Sequence, residues 1–223
     1  MDLTNKTIVI TGGSSGLGYC LAKAFKKFTD KIVICSNNQD VFDRANELNI
    51  SASVNDVTKI EDVKKLLDFV LQKFGVIDIW INNAGIWMPH CSIEDLDFEK
   101  VKKVFDVNTF GLMYGSQVAF RQMKKQGNGV IINIISVSGI EPHIGSSGYC
   151  ASKFAANGFT KVLRLEAQQI KVISIYPAGM KTNLFKDSLP EDYNNYLEPD
   201  YVAQKIIQNL ILENPVEELV IRN

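Results

Sequence analysis

Seven short runs rich in Val and Ile punctuate this chain of 223 residues, and the stretches between them carry helical periodicity. The runs are TIVIT (7–11), KIVICS (31–36), ISASV (50–54), IDIWIN (77–82), GVIINII (129–135), KVISIY (171–176) and ELVI (218–221). Helical stretches fall at about 16–29, 39–48, 58–74, 97–126, 149–169 and 199–213. Runs with so little polar alternation must be covered on both faces, and the intervening helices are the cover. Regular alternation of the two then implies parallel strands joined by right-handed crossovers. The expected fold is α/β, a doubly wound parallel sheet of about seven strands with helices on both faces.

At 46% hydrophobic residues the chain has ample material for one sizeable core, so 1–223 is expected to form a single domain. Only 183–199, NLFKDSLPEDYNNYLEP, breaks the rhythm, as a surface loop or as a flap over a ligand. A formal charge of −1, with Lys/Arg runs no longer than pairs, gives nucleic acid and anionic membranes nothing to hold. No apolar run approaches the roughly 20 residues of a membrane span, and the N-terminus lacks a signal-peptide layout. Cys20, Cys35, Cys91 and Cys150 show no C-x-x-C or metal-ligand spacing, and His90 and His143 stand apart. Reduced thiols, a cytoplasmic location and no metal site are therefore expected.

The first strand runs into TGGSSGLG (11–18) and then a helix. Gly12 permits a tight exit from the strand, Gly16 lets a diphosphate reach the backbone, and Gly18 lets the helix pack on the sheet. Open N–H groups at the helix start then hold phosphate. A simple turn uses glycine too; the setting, strand before and helix after, makes this a Rossmann-type nucleotide loop. Ser14, Ser15 and Leu17 join the three glycines as expected cofactor contacts.

The spacing Gly12-x-x-x-Gly16-x-Gly18 after Thr11 resembles the opening T-G-x-x-x-G-x-G of the short-chain dehydrogenase/reductase family. Ser15 breaks the T-G-x-x-G-x-x-G of its extended, nucleotide-sugar branch. NDV at 55–57, Asn82-Asn83-Ala84-Gly85 and PAGMKT at 177–182 follow the third, fourth and sixth strands, as they do in that family. The resemblance spans nearly the whole chain. It implies cofactor contacts at Asp56, Val57, Asn83, Ala84, Gly85, Pro177, Met180 and Thr182, and with the Tyr/Lys pair below, at Tyr149 and Lys153. Two departures stand out: Ala178 replaces the family's glycine, and the C-terminal end is short.

An acid at the end of the second strand would bind the ribose 2′-OH, and basic residues there a 2′-phosphate. The segment here is CSNNQD (35–40), with uncharged Ser36 at the family's acidic position and Asn37 beside it. These donate hydrogen bonds and repel no phosphate, which favours NADP(H), with NAD(H) as the alternative.

Tyr-x-x-x-Lys occurs three times, as YCLAK at 19–23, YCASK at 149–153 and YVAQK at 201–205. A tyrosine, with a free pKa of about 10, needs a nearby cation to exchange protons near neutrality, and a lysine one helical turn on supplies it. Ser136 and Ser188 each stand thirteen residues before a tyrosine of such a pair. Ser188 lies in the polar loop, whereas Ser136 comes straight off the buried run GVIINII, where open α/β sheets bind ligands. Strand-end position favours Ser136 over its neighbour Ser138. Tyr19 and Lys23 fall away from the apolar stripe of their helix and read as a solvated pair.

By resemblance, Ser136 polarises a substrate oxygen, Tyr149 transfers the proton, Lys153 lowers the tyrosine pKa and holds the ribose, and Asn108 in DVNTFG positions a relay water. Asn108 is also readable as a satisfied core amide. The resemblance implies an NAD(P)-dependent oxidoreductase of small carbonyl or alcohol substrates, a homodimer or homotetramer. A catalytically vestigial dinucleotide-binding regulator and a sugar-nucleotide epimerase are the rivals. Phe185, Tyr193 and Tyr196 are the candidate flap residues of a reduced lid.

Overall fold

In a computed structural model, residues 1–186 and 188–222 are described; Asp187, within the 183–199 stretch, and Asn223 lie outside the described residues. The seven runs form strands β1 (Ile8–Thr11), β2 (Ile32–Ser36), β3 (Ser51–Val54), β4 (Ile79–Asn82), β5 (Gly129–Ile134), β6 (Ile170–Pro177) and β7 (Glu218–Ile221). All pair in parallel in the order β3-β2-β1-β4-β5-β6-β7. Helices α1 (Gly16–Phe25), α2 (Asp40–Leu48), α3 (Ile60–Phe74), α4 (Phe98–Phe105), α5 (Leu112–Gln126), α6 (Ser147–Glu166) and α7 (Pro199–Ile211) form the crossovers.

Successive strand residues point to opposite faces, so the sheet divides the core in two. Ile8 and Ile10 pack with Leu21 and Phe25 of α1, Val41 of α2 and Ile206 of α7. Val9, between them, packs with Val63 of α3, Ala119 of α5 and Leu163 of α6 on the other side. Each such fully buried Ile, Val or Leu contributes about 1.5–3 kcal/mol. Chain order reverses between β1 and β4, which opens a crevice at their carboxyl ends, Thr11 and Asn82.

The sheet also carries buried amides. Asn82 Nδ2 on β4 donates to Asn133 Oδ1 on β5 (2.8 Å) and to Ser116 Oγ on α5 (3.0 Å). Asn133 Nδ2 donates on to Thr160 Oγ1 of α6 at 2.9 Å, and Trp80 Nε1 to Asn82 Oδ1 at 2.8 Å. Gly115 makes the space, because a Cβ there would stand 2.0 Å from Asn82 Oδ1. Fully partnered, these groups fix the register of helix on sheet.

One helical expectation is corrected in detail. The stretch 97–126 is not one helix: α4 and α5 are separated by a π-helical turn, Asp106–Gly111, which contains Asn108. Such an inserted residue is held only by strong local contacts, and here they are present. Asn108 binds the Ile86 backbone, Thr109 Oγ1 donates to Ser152 O at 2.9 Å, and a Cβ on Gly111 would lie 2.9 Å from Val57.

Candidate active site

The glycine loop and the Asn83–Gly85 turn are built against each other at the crevice. Thr11 Oγ1 accepts from the N–H groups of Asn83 (3.0 Å) and Ala84 (3.1 Å), while Asn83 Nδ2 donates to Thr11 O at 2.8 Å and Gly12 O at 3.1 Å. Gly12 has a φ of 65°, and a Cβ on it would stand 2.8 Å from Ala84 Cα. A Cβ on Gly18 would fall 2.2 Å from Gly12 O, so both positions demand glycine. At the N-cap of α1, Ser15 makes no side-chain cap bond, and the first turn holds no acid. Its donors are thus open to an anion. This cradle fits a dinucleotide diphosphate.

From the cradle a cleft of about 1170 Å³ extends to Ser36–Asn38 on one side and to Tyr149 and the 183–199 loop on the other. Every expected cofactor residue lines it except Gly18, which packs beneath Gly12: the loop residues Gly12, Ser14, Ser15, Gly16 and Leu17, the pair Ser36 and Asn37, and the later positions Asp56, Val57, Asn83, Ala84, Gly85, Tyr149, Lys153, Pro177, Met180 and Thr182. At the Ser36 end, Ser14 Oγ donates to Ser36 Oγ (3.1 Å) and Ser36 Oγ to Asn38 Oδ1 (3.3 Å). Arg44 of α2 also lines this end, paired with Glu47 at 2.7 Å, together with Asp40 and Asp43. Asp56 accepts from Thr58 N and Thr58 Oγ1, and its carboxyl lies below the usual range: those bonds and Lys59 outweigh the largest influence, burial, which raises it.

At the other end Ser136, Tyr149 and Lys153 come together. Ser136, just past β5, is buried; its Oγ accepts from Ser138 N at 3.1 Å and is hydrogen-bonded to the Tyr149 phenol. Burial pushes the Tyr149 phenol up to about 12, and the Ser136 bond works against it. Lys153 is 5% exposed, and burial alone pulls its ammonium down to about 8. Its Nζ donates to Ile134 O at 3.3 Å and stands 5.8 Å from the Tyr149 ring centroid. The groups that lower Tyr149 do not include Lys153; the phenol's main opponent to desolvation is Ser136.

Asn108 lies behind the cleft wall. Its Oδ1 accepts from Ile86 N and its Nδ2 donates to Ile86 O, both at 2.9 Å, and Nδ2 also reaches Ser152 Oγ at 3.3 Å. Ser152 Oγ in turn donates to Tyr149 O at 2.7 Å. The side-chain amide is therefore a satisfied core group that ties the 83–86 turn to the Tyr149 helix.

The other two pairs stand elsewhere. Tyr19 Oη donates to Glu47 Oε2 at 2.8 Å, and Arg44, not Lys23, sits over its ring at 5.6 Å. Lys205 Nζ stands 5.3 Å from the Tyr201 centroid, closer than Lys153 stands to Tyr149, but both residues are exposed. Proximity does not separate the three pairs; the buried lysine and the place beside Ser136 in the cleft do.

The 183–199 stretch is closed at its base. Lys181 N donates to Leu197 O (2.9 Å) and Leu197 N to Gly179 O (2.8 Å), with Leu197 buried. Above this bridge, Phe185 packs edge to face with Tyr193 and Tyr196, which are tilted against each other, and Trp87, from the loop after β4, joins them at 5.0 Å from Phe185. Sequence reading missed Trp87 and the role of Gly179. A Cβ on Gly179 would stand 2.5 Å from the Tyr196 ring, so the glycine absent at 178 reappears one residue later for a packing reason. The shifted glycine in PAGM was the available signal; no pattern in the chain announces Trp87.

A nucleotide cradle at the point where strand order reverses places the molecule in the doubly wound, dinucleotide-binding class of α/β proteins. Residues 6–192 match the family model of the short chain dehydrogenases. The chain belongs to that family of oxidoreductases. It is 31% identical to an uncharacterized oxidoreductase of Staphylococcus saprophyticus, over 98% of this chain and 94% of that one. A 3-ketoacyl-(acyl-carrier-protein) reductase of Brucella melitensis, complexed with NADH, is similar in structure with a TM-score of 0.89 at 26% identity, covering 98% of this chain and 97% of that one. An alcohol dehydrogenase of Thermococcus sibiricus, complexed with 5-hydroxy-NADP, shares the fold with a TM-score of 0.86 at 24% identity, over 97% of this chain and 96% of that one.

Proposed function

We propose that this protein interconverts a carbonyl and an alcohol with a nicotinamide dinucleotide, using Tyr149 as the acid/base. The observation that carries the reading is the meeting of Ser136, Tyr149 and buried Lys153 in the same cleft as the glycine cradle. When bound, the nicotinamide supplies or accepts the hydride. Ser136 Oγ donates to the substrate oxygen as charge develops there. Tyr149 Oη, protonated at neutral pH, gives its proton to that oxygen in reduction and takes it back in oxidation. Lys153 places a positive charge beside Gly85 and the ribose-binding end of the cradle.

The cofactor class follows from the cradle and from the NADH- and NADP-type complexes of the similar structures. We favour NADP(H), because Ser36 and Asn37 offer hydrogen bonds without charge and Arg44 lines the same end. Asp40, Asp43 and Glu47 beside it favour NAD(H) as the second reading. The whole sheet with its helices acts in this proposal as one catalytic domain, in the cytoplasm, where the four free cysteines remain reduced. Exposed Phe110, Phe154, Val162 and Leu165 on the π turn and α6 suit pairing with a second copy. Among the described residues no helix is long and apolar enough to cross a membrane.

The deciding experiment is dinucleotide-linked turnover of a ketone and aldehyde panel, with NADPH and NADH in parallel. Tyr149→Phe should lower kcat by at least about a thousandfold while the dinucleotide Kd stays within about threefold. Undiminished turnover in that variant overturns the assignment. Dinucleotide binding without turnover of any carbonyl would favour the regulator. A strong NADH preference selects the second cofactor reading.

A further inference from the structure

The catalytic end of the cleft has a wall of rings. Trp87 and Phe185 stand edge to face at 5.0 Å, and Phe185 and Tyr196 at 5.4 Å. All three line the cleft with Tyr149. The wall is assembled from two loops that are distant in the chain and separately anchored. Met88, next to Trp87, packs at Gly148, where a Cβ would stand 2.8 Å from its sulfur; the other loop is held by the Leu197 bridge. The Tyr196 hydroxyl is engaged by Asp192, which leaves the ring as the lining surface.

Charge at this end is sparse. Among the described residues lining it, the only lysine or arginine besides Lys153 is Lys186, which is exposed, the only carboxylate is Asp192, also exposed, and the imidazoles His90, 5.7 Å from Trp87, and His143 are exposed as well. A carboxylate or phosphate on the substrate would need a fixed cation to replace its water, and an exposed lysine is a poor replacement. Ring faces and edges, by contrast, favour apolar, planar or cyclic groups.

We propose that the substrate is an uncharged ketone bearing a ring system, or the matching secondary alcohol, with the ring held by Trp87, Phe185 and Tyr196. The inference rests on the oxidoreductase reading above. In reduction the carbonyl carbon gains hydride from the reduced dinucleotide and its oxygen gains the Tyr149 proton. Ketone and reduced dinucleotide become secondary alcohol and oxidised dinucleotide, and solvent returns the proton to Tyr149.

The test uses α-tetralone, acetone and pyruvate as probes, with the wild-type protein, Trp87→Ala, Tyr196→Ala and Tyr196→Phe. The wild-type kcat/KM for α-tetralone should exceed those for acetone and pyruvate on the order of 100-fold. Each alanine variant should shrink the α-tetralone-to-acetone ratio on the order of tenfold, through KM, and Tyr196→Phe should restore it. A pyruvate rate that equals or exceeds that of α-tetralone, and that Tyr149→Phe abolishes, overturns the ring-bearing substrate while leaving the oxidoreductase reading intact. Alanine variants that lower all three substrates equally also overturn it. No turnover of any probe by the wild type overturns both.

Discussion

Burial sets the titration of both Tyr149 and Lys153, in opposite directions. Raised to about 12, the phenol keeps its proton across the neutral range; lowered to about 8, the ammonium loses its charge as pH rises through that value. Reductive kcat/KM should therefore hold level below about pH 8 and fall above it, approaching tenfold per unit, as the Lys153 charge disappears. Oxidation should gain with rising pH, since it needs the phenolate. Lys153→Met should remove the break near 8 in a pH-rate profile; a break that persists there belongs to another group. The residue types of this site were legible in the sequence, because a serine at the end of a Val/Ile run can only stand at the sheet edge. The direction of the tyrosine shift was not. It depends on how much water the packed fold takes from Tyr149, which no local pattern in the chain records.

At the scale of elements, the π turn is the part that pattern reading could not resolve. Val101, Val104, Phe105, Asn108 and Leu112 fit one continuous stripe, and one extra residue in a turn leaves the average period almost unchanged. What decides is the partner: Ile86 presents both backbone groups to the Asn108 amide. Asn108→Ala should destabilise the fold by about 1–3 kcal/mol, because both Ile86 groups lose their partner. Urea denaturation measures this, and a change below about 0.5 kcal/mol would show that the turn does not depend on the amide. The ring wall escapes sequence reading for the same reason, since Trp87 and Phe185 become neighbours only when β4 and β6 lie in one sheet.

For the whole molecule, a parallel sheet covered by helices on both faces followed from composition and alternation, whereas the strand order and its reversal between β1 and β4 came with the structure. Apolar β-branched runs leave parallel, doubly covered strands as the solution, and all seven were placed within a residue or two of their observed ends. The amide layer of Asn82 and Asn133 was invisible, because its partners Ser116 and Thr160 sit on helices far along the chain. The proposed assembly is tested at this scale. Leu165→Asp, on a side chain 85% exposed, should leave the melting curve of the subunit fold intact and shift the protein towards monomer in light scattering. A wild-type protein that is monomeric at micromolar concentration defeats the proposal directly.

The pairing of Leu197 with Gly179 and Lys181 turns the intervening segment into a loop whose two ends meet before the sheet is reached. Closing such a loop costs free energy that grows only with the logarithm of its length. Residues can therefore be added or removed between 182 and 196 with little effect on where β6 ends or α7 begins. The segment is a replaceable cassette, and the pocket's walls can be redrawn by changing it while the sheet, the glycine cradle and the Tyr149 helix stay in place.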